Sequence, residues 1–289
     1  MRSRWLQGAE TTKFMICPNI EFQESIFSIL CENVIRLPQN DISKIYSFWK
    51  NGFDELNFER PTDVKIISDK NLISSCQNIP ENPWLLGIDF PIWFNTPEEK
   101  PKIIILGIDP LRNESTFKHL KADSEKNVII GTPYALNSAR MRNGPQKDYW
   151  TLINKLSKEN FVYLTDVYKT FFYTNYQSKR QRSYDYYKEK NSLTEHKKLL
   201  EKEIKLIEPD LIITFGGISY AKLMDIKPPK LTINVGLNVA KFENIPVLPM
   251  VHLSGWEKSK RNFLKNNNVD DENIGTGYYH IINNFLKTL

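Results

Sequence analysis

The segment KIIILGIDP, residues 102–110, contains the pattern that decides the fold, a short apolar run that passes directly into a turn. Three comparable runs follow it along the chain: FVYL at 161–164, LIITF at 211–215 and VLPMV at 247–251. All four are too short for helices and are apolar on both sides, as in strands of a parallel sheet whose two faces are covered. Strands that alternate with helices in this way predict an α/β fold with right-handed crossovers.

Helical segments separate these runs. Apolar residues recur every three or four positions at 149–158, 194–207, 219–224 and 278–289. The alternation predicts a three-layer α/β/α sandwich around a short, mainly parallel four-stranded sheet, with the last helix closing the fold.

Residues 1–95 differ from the rest of the chain. Helical spacing at 25–37 and 41–53 is followed by a stretch punctuated by proline and asparagine, and no chemical motif occurs there. We therefore expect a largely helical N-terminal extension that packs on a main domain formed by residues 96–289. Aromatic residues of the extension, such as Trp93, are expected to lie in that packing.

Composition limits the possible classes of protein. The chain has 289 residues, a formal net charge of +5 and a sequence pI near 8.8, which suits either a polyanionic partner or an ordinary basic protein. Its three cysteines stand far apart, without a CxxC pair or a histidine cluster, so we expect reduced thiols and no metal or redox cofactor. No stretch has the character of a signal peptide or a membrane span, so we expect a cytoplasmic protein without a membrane or obligate protein partner.

The residues that follow the four apolar runs are polar or are glycines. They are Asp109, Asp166, the pair Gly216 and Gly217, and His252. Because ligands of open parallel sheets bind outside the carboxyl ends of the strands, these residues are expected to converge on one cleft.

Five short motifs resemble, in the same order along the chain, motifs of the uracil-DNA glycosylase superfamily. They are GIDP at 107–110, GTPYALNSA at 131–139, YLTDVYK at 163–169, EPDLIITFGGISYAKL at 208–223 and VLPMVHLSGWEKSKR at 247–261. The resemblance covers about the C-terminal two thirds of the chain. It implies a monofunctional DNA glycosylase that flips a base out of double-stranded DNA, excises it without a cofactor and leaves an abasic site.

The resemblance also implies roles for particular residues. Asp109 would stabilise the oxocarbenium-like sugar, and His252 would stabilise the departing base near its O2 atom. Tyr134 stands where the family places the ring that stacks on the flipped base, and Trp256 where it places an apolar wedge. Taken alone, Asp109 could be a turn residue, His252 a core residue, and Trp256 could pack on the last helix.

Further residues of these motifs are expected to contact DNA through backbone groups, hydroxyls or positive charge. They are Gly216, Gly217, Ser219, Ser254, Lys258, Lys260 and Arg261. The tract at 175–190 mixes basic and aromatic residues, and either faces nucleic acid or forms a solvated loop.

Two positions depart from uracil-excising members of the family. Asp166 stands in place of the asparagine that reads uracil, and an ionised carboxylate, which only accepts hydrogen bonds, suits the amino group of cytosine instead. Leu111 stands where many uracil-specific members carry a tyrosine that closes the space beside C5. Both departures favour a modified cytosine, as in bacterial phage-defence glycosylases that remove glucosylated hydroxymethylcytosine from phage DNA.

Three other interpretations stay open. The chain could be a uracil or mismatch repair glycosylase that tolerates Asp166, or a non-catalytic DNA-binding protein on the same fold. The glycines at 216–217 also suggest a nucleotide-binding Rossmann protein, although the first strand lacks the GxGxxG turn of that fold.

Overall fold

The computed structural model describes residues 20–54, 65–68, 84–98, 101–108, 127–173, 193–228 and 239–289. Three features singled out from the sequence lie outside the described residues: Asp109, Leu111 and the tract at 175–190.

The described strands and helices are numbered here in chain order. The strands are β1 (Lys65–Ser68), β2 (Trp84–Asp89), β3 (Ile92–Phe94), β4 (Lys102–Gly107), β5 (Asn127–Gly131), β6 (Phe161–Asp166), β7 (Thr170–Tyr173), β8 (Leu211–Phe215), β9 (Lys241–Phe242) and β10 (Ile245–Met250). The helices are α1 (Ile20–Asn33), α2 (Gln39–Asp54), α3 (Ala139–Arg142), α4 (Lys147–Leu156), α5 (Leu193–Ile207), α6 (Gly217–Met224), α7 (Glu257–Asn266) and α8 (Ile274–Leu286).

The main sheet has the order β3-β6-β4-β8-β10-β9. Its four central strands are the four apolar runs of the sequence, and they are all parallel. The outer strands β3 and β9 pair antiparallel with β6 and β10. The expected mainly parallel sheet is therefore confirmed. It has two more strands than predicted, because strands of two or three residues give no recognisable pattern in the sequence.

The central strands form the core of the molecule. Each apolar side chain from Ile103 to Leu106 in β4 has an exposed fraction of 0%. Full burial of such a side chain contributes about 1.5–3 kcal/mol. Helices cover both faces, as the sequence predicts: Phe161 of β6 contacts Phe22 of α1, and Phe215 of β8 contacts Tyr149 of α4.

A second sheet has the order β1-β5-β2-β7 and was not predicted. Strands β2 and β5 are parallel, whereas β1 and β7 pair antiparallel with them. This sheet is connected to the main sheet through the chain, since β7 begins four residues after β6 ends. It matters for function because β5 leads directly into the turn that carries Tyr134.

The N-terminal helices pack on the main sheet. Trp93 of β3 is fully buried, and its ring lies 5.3 Å from that of Phe22 in α1. The hydroxyl of Tyr46 in α2 donates to the carbonyl of Pro91 at 2.6 Å. The packing expected of Trp93 is confirmed. The boundary at residue 96 stays a prediction, since β3 precedes it and yet belongs to the main sheet. None of the helices in the described ranges is long and apolar enough to cross a bilayer.

Candidate active site

The carboxyl ends of the four central strands lie at one edge of the main sheet. Gly107 at the end of β4 is paired with Asp166 at the end of β6. At the ends of β8 and β10, the backbone N–H of Gly216 donates to the carbonyl of Met250 at 2.8 Å. The described part of the chain thus brings Asp166, the glycine pair and the segment leading to His252 to the same edge, as the strand pattern predicts.

The side chain of Asp166 lies against the backbone of Gly107. Asp166 is only 3% exposed. A Cβ atom at Gly107 would overlap Oδ1 of Asp166 and would lie 3.3 Å from the hydroxyl of Tyr134. Glycine is therefore required at this position because a carboxylate and a phenol approach the backbone from the same side. Asp166 and Tyr134, singled out separately from the sequence, line one space.

A buried ion pair supports the backbone at Asp166 from the other face of the sheet. The ammonium group of Lys169 donates to the Asp166 carbonyl at 2.8 Å and to Oε2 of Glu203 at 2.5 Å. The hydroxyls of Tyr163 and Thr165 donate to the same Glu203 carboxylate at 2.9 and 3.2 Å. The sequence did not reveal this network. The one feature of the sequence that indicates this network is Glu203, an acidic residue on the apolar face of helix α5.

Tyr134 lies in a strained turn after β5. Its backbone has φ 60° and ψ 14°, and the next residue, Ala135, has φ 53°. Positive φ is unfavourable for a bulky side chain, and such strain occurs preferentially at functional sites. The Tyr134 ring stacks on Tyr149 with centroids 4.0 Å apart and planes 18° apart. One face of Tyr134 is thus covered by Tyr149, and the stacking role expected of Tyr134 stays a prediction.

His252 follows β10 and is held through its Nδ1 atom. Three groups lie within hydrogen-bonding distance of Nδ1: the backbone N–H of Ser254 at 3.2 Å, the Ser254 hydroxyl at 2.6 Å and the Tyr149 hydroxyl at 3.2 Å. A backbone N–H can only donate, so Nδ1 accepts and the ring proton resides on Nε2.

Tyr149 is the site residue that the sequence analysis missed. It is 1% exposed, and its ring lies between Tyr134 and Phe215 while its hydroxyl reaches His252. In the sequence it occupies an apolar-face position of an amphipathic helix, shared with Leu152 and Leu156. That pattern indicates a core residue, and no local signal distinguishes Tyr149 from one.

The glycine turn differs in detail from the expectation. Gly216 has φ +88°, a conformation that favours glycine, and its N–H is already used by Met250. Ser219 is 1% exposed, and its hydroxyl donates to the carbonyls of Phe215 at 2.7 Å and Gly216 at 3.0 Å. The hydroxyl of Ser219 thus stabilises the turn, and the contact with DNA expected of this residue stays a prediction. Gly217 begins α6, and its contact with DNA stays a prediction.

The segment after His252 combines exposed and anchored residues. Trp256 is 84% exposed, so it does not pack on the last helix. The exposed Lys258 follows it at the start of α7. Lys260, by contrast, is 7% exposed and pairs with Asp148 of α4 at 3.0 Å. This lysine joins α7 to α4, and its expected contribution of charge at the DNA face stays a prediction.

Arg261 is also anchored within the protein. Its guanidinium donates to Glu257 at 3.1 Å and to the carbonyls of Asp271 and Glu272, both at 2.7 Å. These contacts fix α7 against the segment that precedes α8. Arg261 is itself exposed, and its contact with DNA stays a prediction. The described ranges contain no group of three or more histidine, cysteine or acidic residues that could hold a metal ion.

Comparison with known proteins agrees with this arrangement. No curated protein sequence matches the chain. A family model described as Uracil DNA glycosylase superfamily matches residues 94–272, which is more than half of the chain. The matched range includes the ends of all four central strands, the Tyr134 turn and the segment from His252 to Trp256. The chain belongs to the uracil DNA glycosylase superfamily.

Proposed function

We propose that the protein is a monofunctional DNA glycosylase that excises a 5-modified cytosine, such as glucosylated hydroxymethylcytosine, from foreign DNA. It acts on double-stranded DNA, flips the target nucleotide out of the stack and leaves an abasic site. Membership of the superfamily supports the glycosylase activity. The observation that carries the choice of base is the buried carboxylate of Asp166 beside Tyr134.

Cleavage of the glycosidic bond builds positive charge on the sugar and negative charge on the departing base. His252 stabilises the base, because its Nε2–H can donate to the base oxygen O2 as charge accumulates there. Asp109, which follows β4, stabilises the sugar near C1′ and orients the attacking water, as carboxylates do in glycoside hydrolysis.

Asp166 selects the base through its hydrogen-bonding edge. An ionised carboxylate only accepts hydrogen bonds, and cytosine presents an amino donor at N4. Uracil presents an acceptor at O4, so its pairing with Asp166 would oppose two acceptors in a buried place. Such a mismatch costs about 1–3 kcal/mol or more. The exposed fraction of 3% at Asp166 supports a buried contact of this kind.

A modified cytosine is favoured over ordinary cytosine on biological and chemical grounds. An enzyme that excised unmodified cytosine would destroy the genome of its own host, whereas a base found in phage DNA marks foreign molecules. Leu111 replaces a tyrosine that closes the space beside C5 in many uracil-specific relatives. The smaller side chain is consistent with space for a substituent at C5. We therefore propose a role in antiviral defence.

A second candidate is a uracil or mismatch repair glycosylase. It is favoured by the family that matches the chain, which is named for uracil excision. In that case Asp166 would have to be tolerated or protonated opposite O4, so that a carboxylic acid donates the hydrogen bond that an asparagine amide donates in relatives.

A panel of duplexes distinguishes these candidates. The duplexes differ at one position, which carries uracil, cytosine, hydroxymethylcytosine or glucosylated hydroxymethylcytosine, and abasic sites are detected by strand cleavage in alkali. We expect abasic sites with a modified cytosine and very few with uracil. The His252→Ala variant, purified in parallel, controls for contaminating glycosylases. Removal of uracil alone would select the repair enzyme, and no cleavage of any duplex would contradict glycosylase activity on these bases.

A further inference from the structure

Tyr149 connects two parts of the candidate active site. Its hydroxyl lies 3.2 Å from Nδ1 of His252, and its ring stacks on Tyr134 with centroids 4.0 Å apart. We propose that Tyr149 is a positioning residue of the glycosylase reaction: it holds the imidazole of His252 in its orientation through Nδ1 and supports the Tyr134 ring from behind. The proposed effect on catalysis depends on the glycosylase function proposed above.

The direction of the hydrogen bonds supports this role. The backbone N–H of Leu253 donates to the Tyr149 oxygen at 3.3 Å. Because that N–H can only donate, the hydroxyl proton of Tyr149 points elsewhere, and both Nδ1 of His252 and the hydroxyl of Tyr134 can accept it. Nδ1 is already an acceptor for the Ser254 N–H, which places the ring proton on Nε2. The phenol can therefore add a second donor at Nδ1 and hold the ring in its orientation.

The phenol keeps its proton over a wide range of pH. Burial, followed by the neighbouring Tyr134, raises the pKa of Tyr149 well above its ordinary value. The hydroxyl of Ser254 also lies near Nδ1, but it is on an exposed residue and can rotate to donate or accept. Tyr149 is thus the buried side chain that can hold the imidazole at Nδ1, beside the Ser254 N–H that sets its tautomer.

Packing holds the Tyr149 ring in place. Besides its stack with Tyr134, the Tyr149 ring makes two edge-to-face contacts. Its centroid lies 5.0 Å from that of Phe215, at an interplanar angle of 83°, and 5.7 Å from that of His252, at 81°. The preceding residue, Asp148, pairs with Lys260 of α7 at 3.0 Å. These contacts leave the ring little freedom, so its hydroxyl occupies a defined point next to the imidazole.

The catalytic consequence follows from the orientation of His252. With the proton on Nε2 and the ring held in place, the imidazole donates to O2 of the departing base. A ring that turns away from this orientation would no longer present Nε2–H to a base that is gaining negative charge. Loss of the Tyr149 hydroxyl should therefore slow bond cleavage while DNA affinity is retained.

The test compares Tyr149→Phe with Tyr278→Phe. The first variant keeps the ring stack and removes the hydroxyl near His252. The second removes the hydroxyl of another buried tyrosine, whose ring stacks near Phe215 at 6.3 Å. We expect Tyr149→Phe to lower the single-turnover excision rate about tenfold, the effect of one net hydrogen bond, and Tyr278→Phe to leave it unchanged.

Two further readouts separate positioning from a structural role. Nitrogen-15 NMR of the histidines should show the Nε2–H form of His252 in both proteins, since the Ser254 N–H remains, with the Nδ1 resonance displaced in Tyr149→Phe by the loss of one neighbouring donor. In a His252→Ala background, Tyr149→Phe should cause almost no additional loss of rate, since it acts through the imidazole. An equal loss in both backgrounds, or an unchanged Nδ1 resonance and rate in Tyr149→Phe, would overturn the proposal. The NMR result does not depend on a substrate, so it decides the positioning claim even if no duplex is cleaved.

Discussion

The last two residues of strand β6 lead into two different polar environments. Thr165 faces the buried pair of Lys169 and Glu203, in which charge is neutralised and hydrogen bonds join the partners. Asp166 faces the space shared with Tyr134 at the end of the sheet. The first set of polar groups joins buried partners within the fold, and the second is the set to which we assign base recognition. The alternating direction of side chains along one strand separates the two sets.

We expect the largest loss of stability from changes to the buried pair of Lys169 and Glu203. Lys169→Met leaves Glu203 buried without its counter-charge, and we expect the free energy of unfolding to fall by about 3–5 kcal/mol. Urea unfolding measures this loss. The double variant Lys169→Met with Glu203→Leu should recover part of it, because no buried charge remains. A loss below about 1 kcal/mol in the single variant would contradict a structural role for the pair.

Substitution of the proposed catalytic residues should lower activity without lowering stability. His252→Ala should lower single-turnover excision by at least about a hundredfold, the usual effect of removing a group that stabilises transition-state charge. Asp109→Ala should have an effect of the same size. DNA affinity and the urea midpoint should change little in both variants. Near-normal excision by both would refute the assignment of the catalytic residues.

We expect the stability of the protein to fall at acid pH because of a buried histidine, His196. Burial, and then the charge of Lys169, lowers the pKa of His196 from 6.5 to about 3. Between these values the unfolded chain binds a proton that the folded protein does not, so stability falls as the pH decreases through this window. His196→Gln should reduce the slope of unfolding free energy against pH by about 1.4 kcal/mol per pH unit. An unchanged slope between pH 5 and 4 would contradict this attribution.

The smallest expected effect distinguishes two lysines near Trp256. Lys258 is exposed, whereas Lys260 is 7% exposed and bound to Asp148. Lys258→Ala should reduce the slope of log binding constant against log salt concentration by about one unit for any DNA sequence. Lys260→Ala should lower stability and leave the slope unchanged. The reverse pattern would place the DNA-facing charge at Lys260.

The sequence predicted the central sheet and the convergence of its strand ends because both follow from apolar runs and from parallel topology. It missed the second sheet. It also missed the edge strands β3 and β9, because they contain too few residues to show a period. It also missed Tyr149 and Glu203, which occupy apolar helix faces and appear as core positions. Only tertiary packing gives these two residues polar partners.

The same limit applies to the expected DNA face. Lys260 and Arg261 follow Trp256 in a basic segment, and such a segment is typical of a phosphate-binding surface. Their partners come from elsewhere, as in the contact between Lys260 and Asp148. A sequence gives the charge of a residue but not whether a distant residue has already neutralised it.

The most direct test of base selection is the ratio of two excision rates in the wild-type protein and in Asp166→Asn. The rates are measured under single-turnover conditions on duplexes that carry glucosylated hydroxymethylcytosine or uracil at one position. We expect the wild-type protein to leave uracil largely intact. The variant should shift the ratio towards uracil by about tenfold to a hundredfold, because its amide can donate to O4. Efficient uracil excision by the wild-type protein, with a ratio that Asp166→Asn does not change, would contradict the assignment of Asp166 as the residue that reads cytosine.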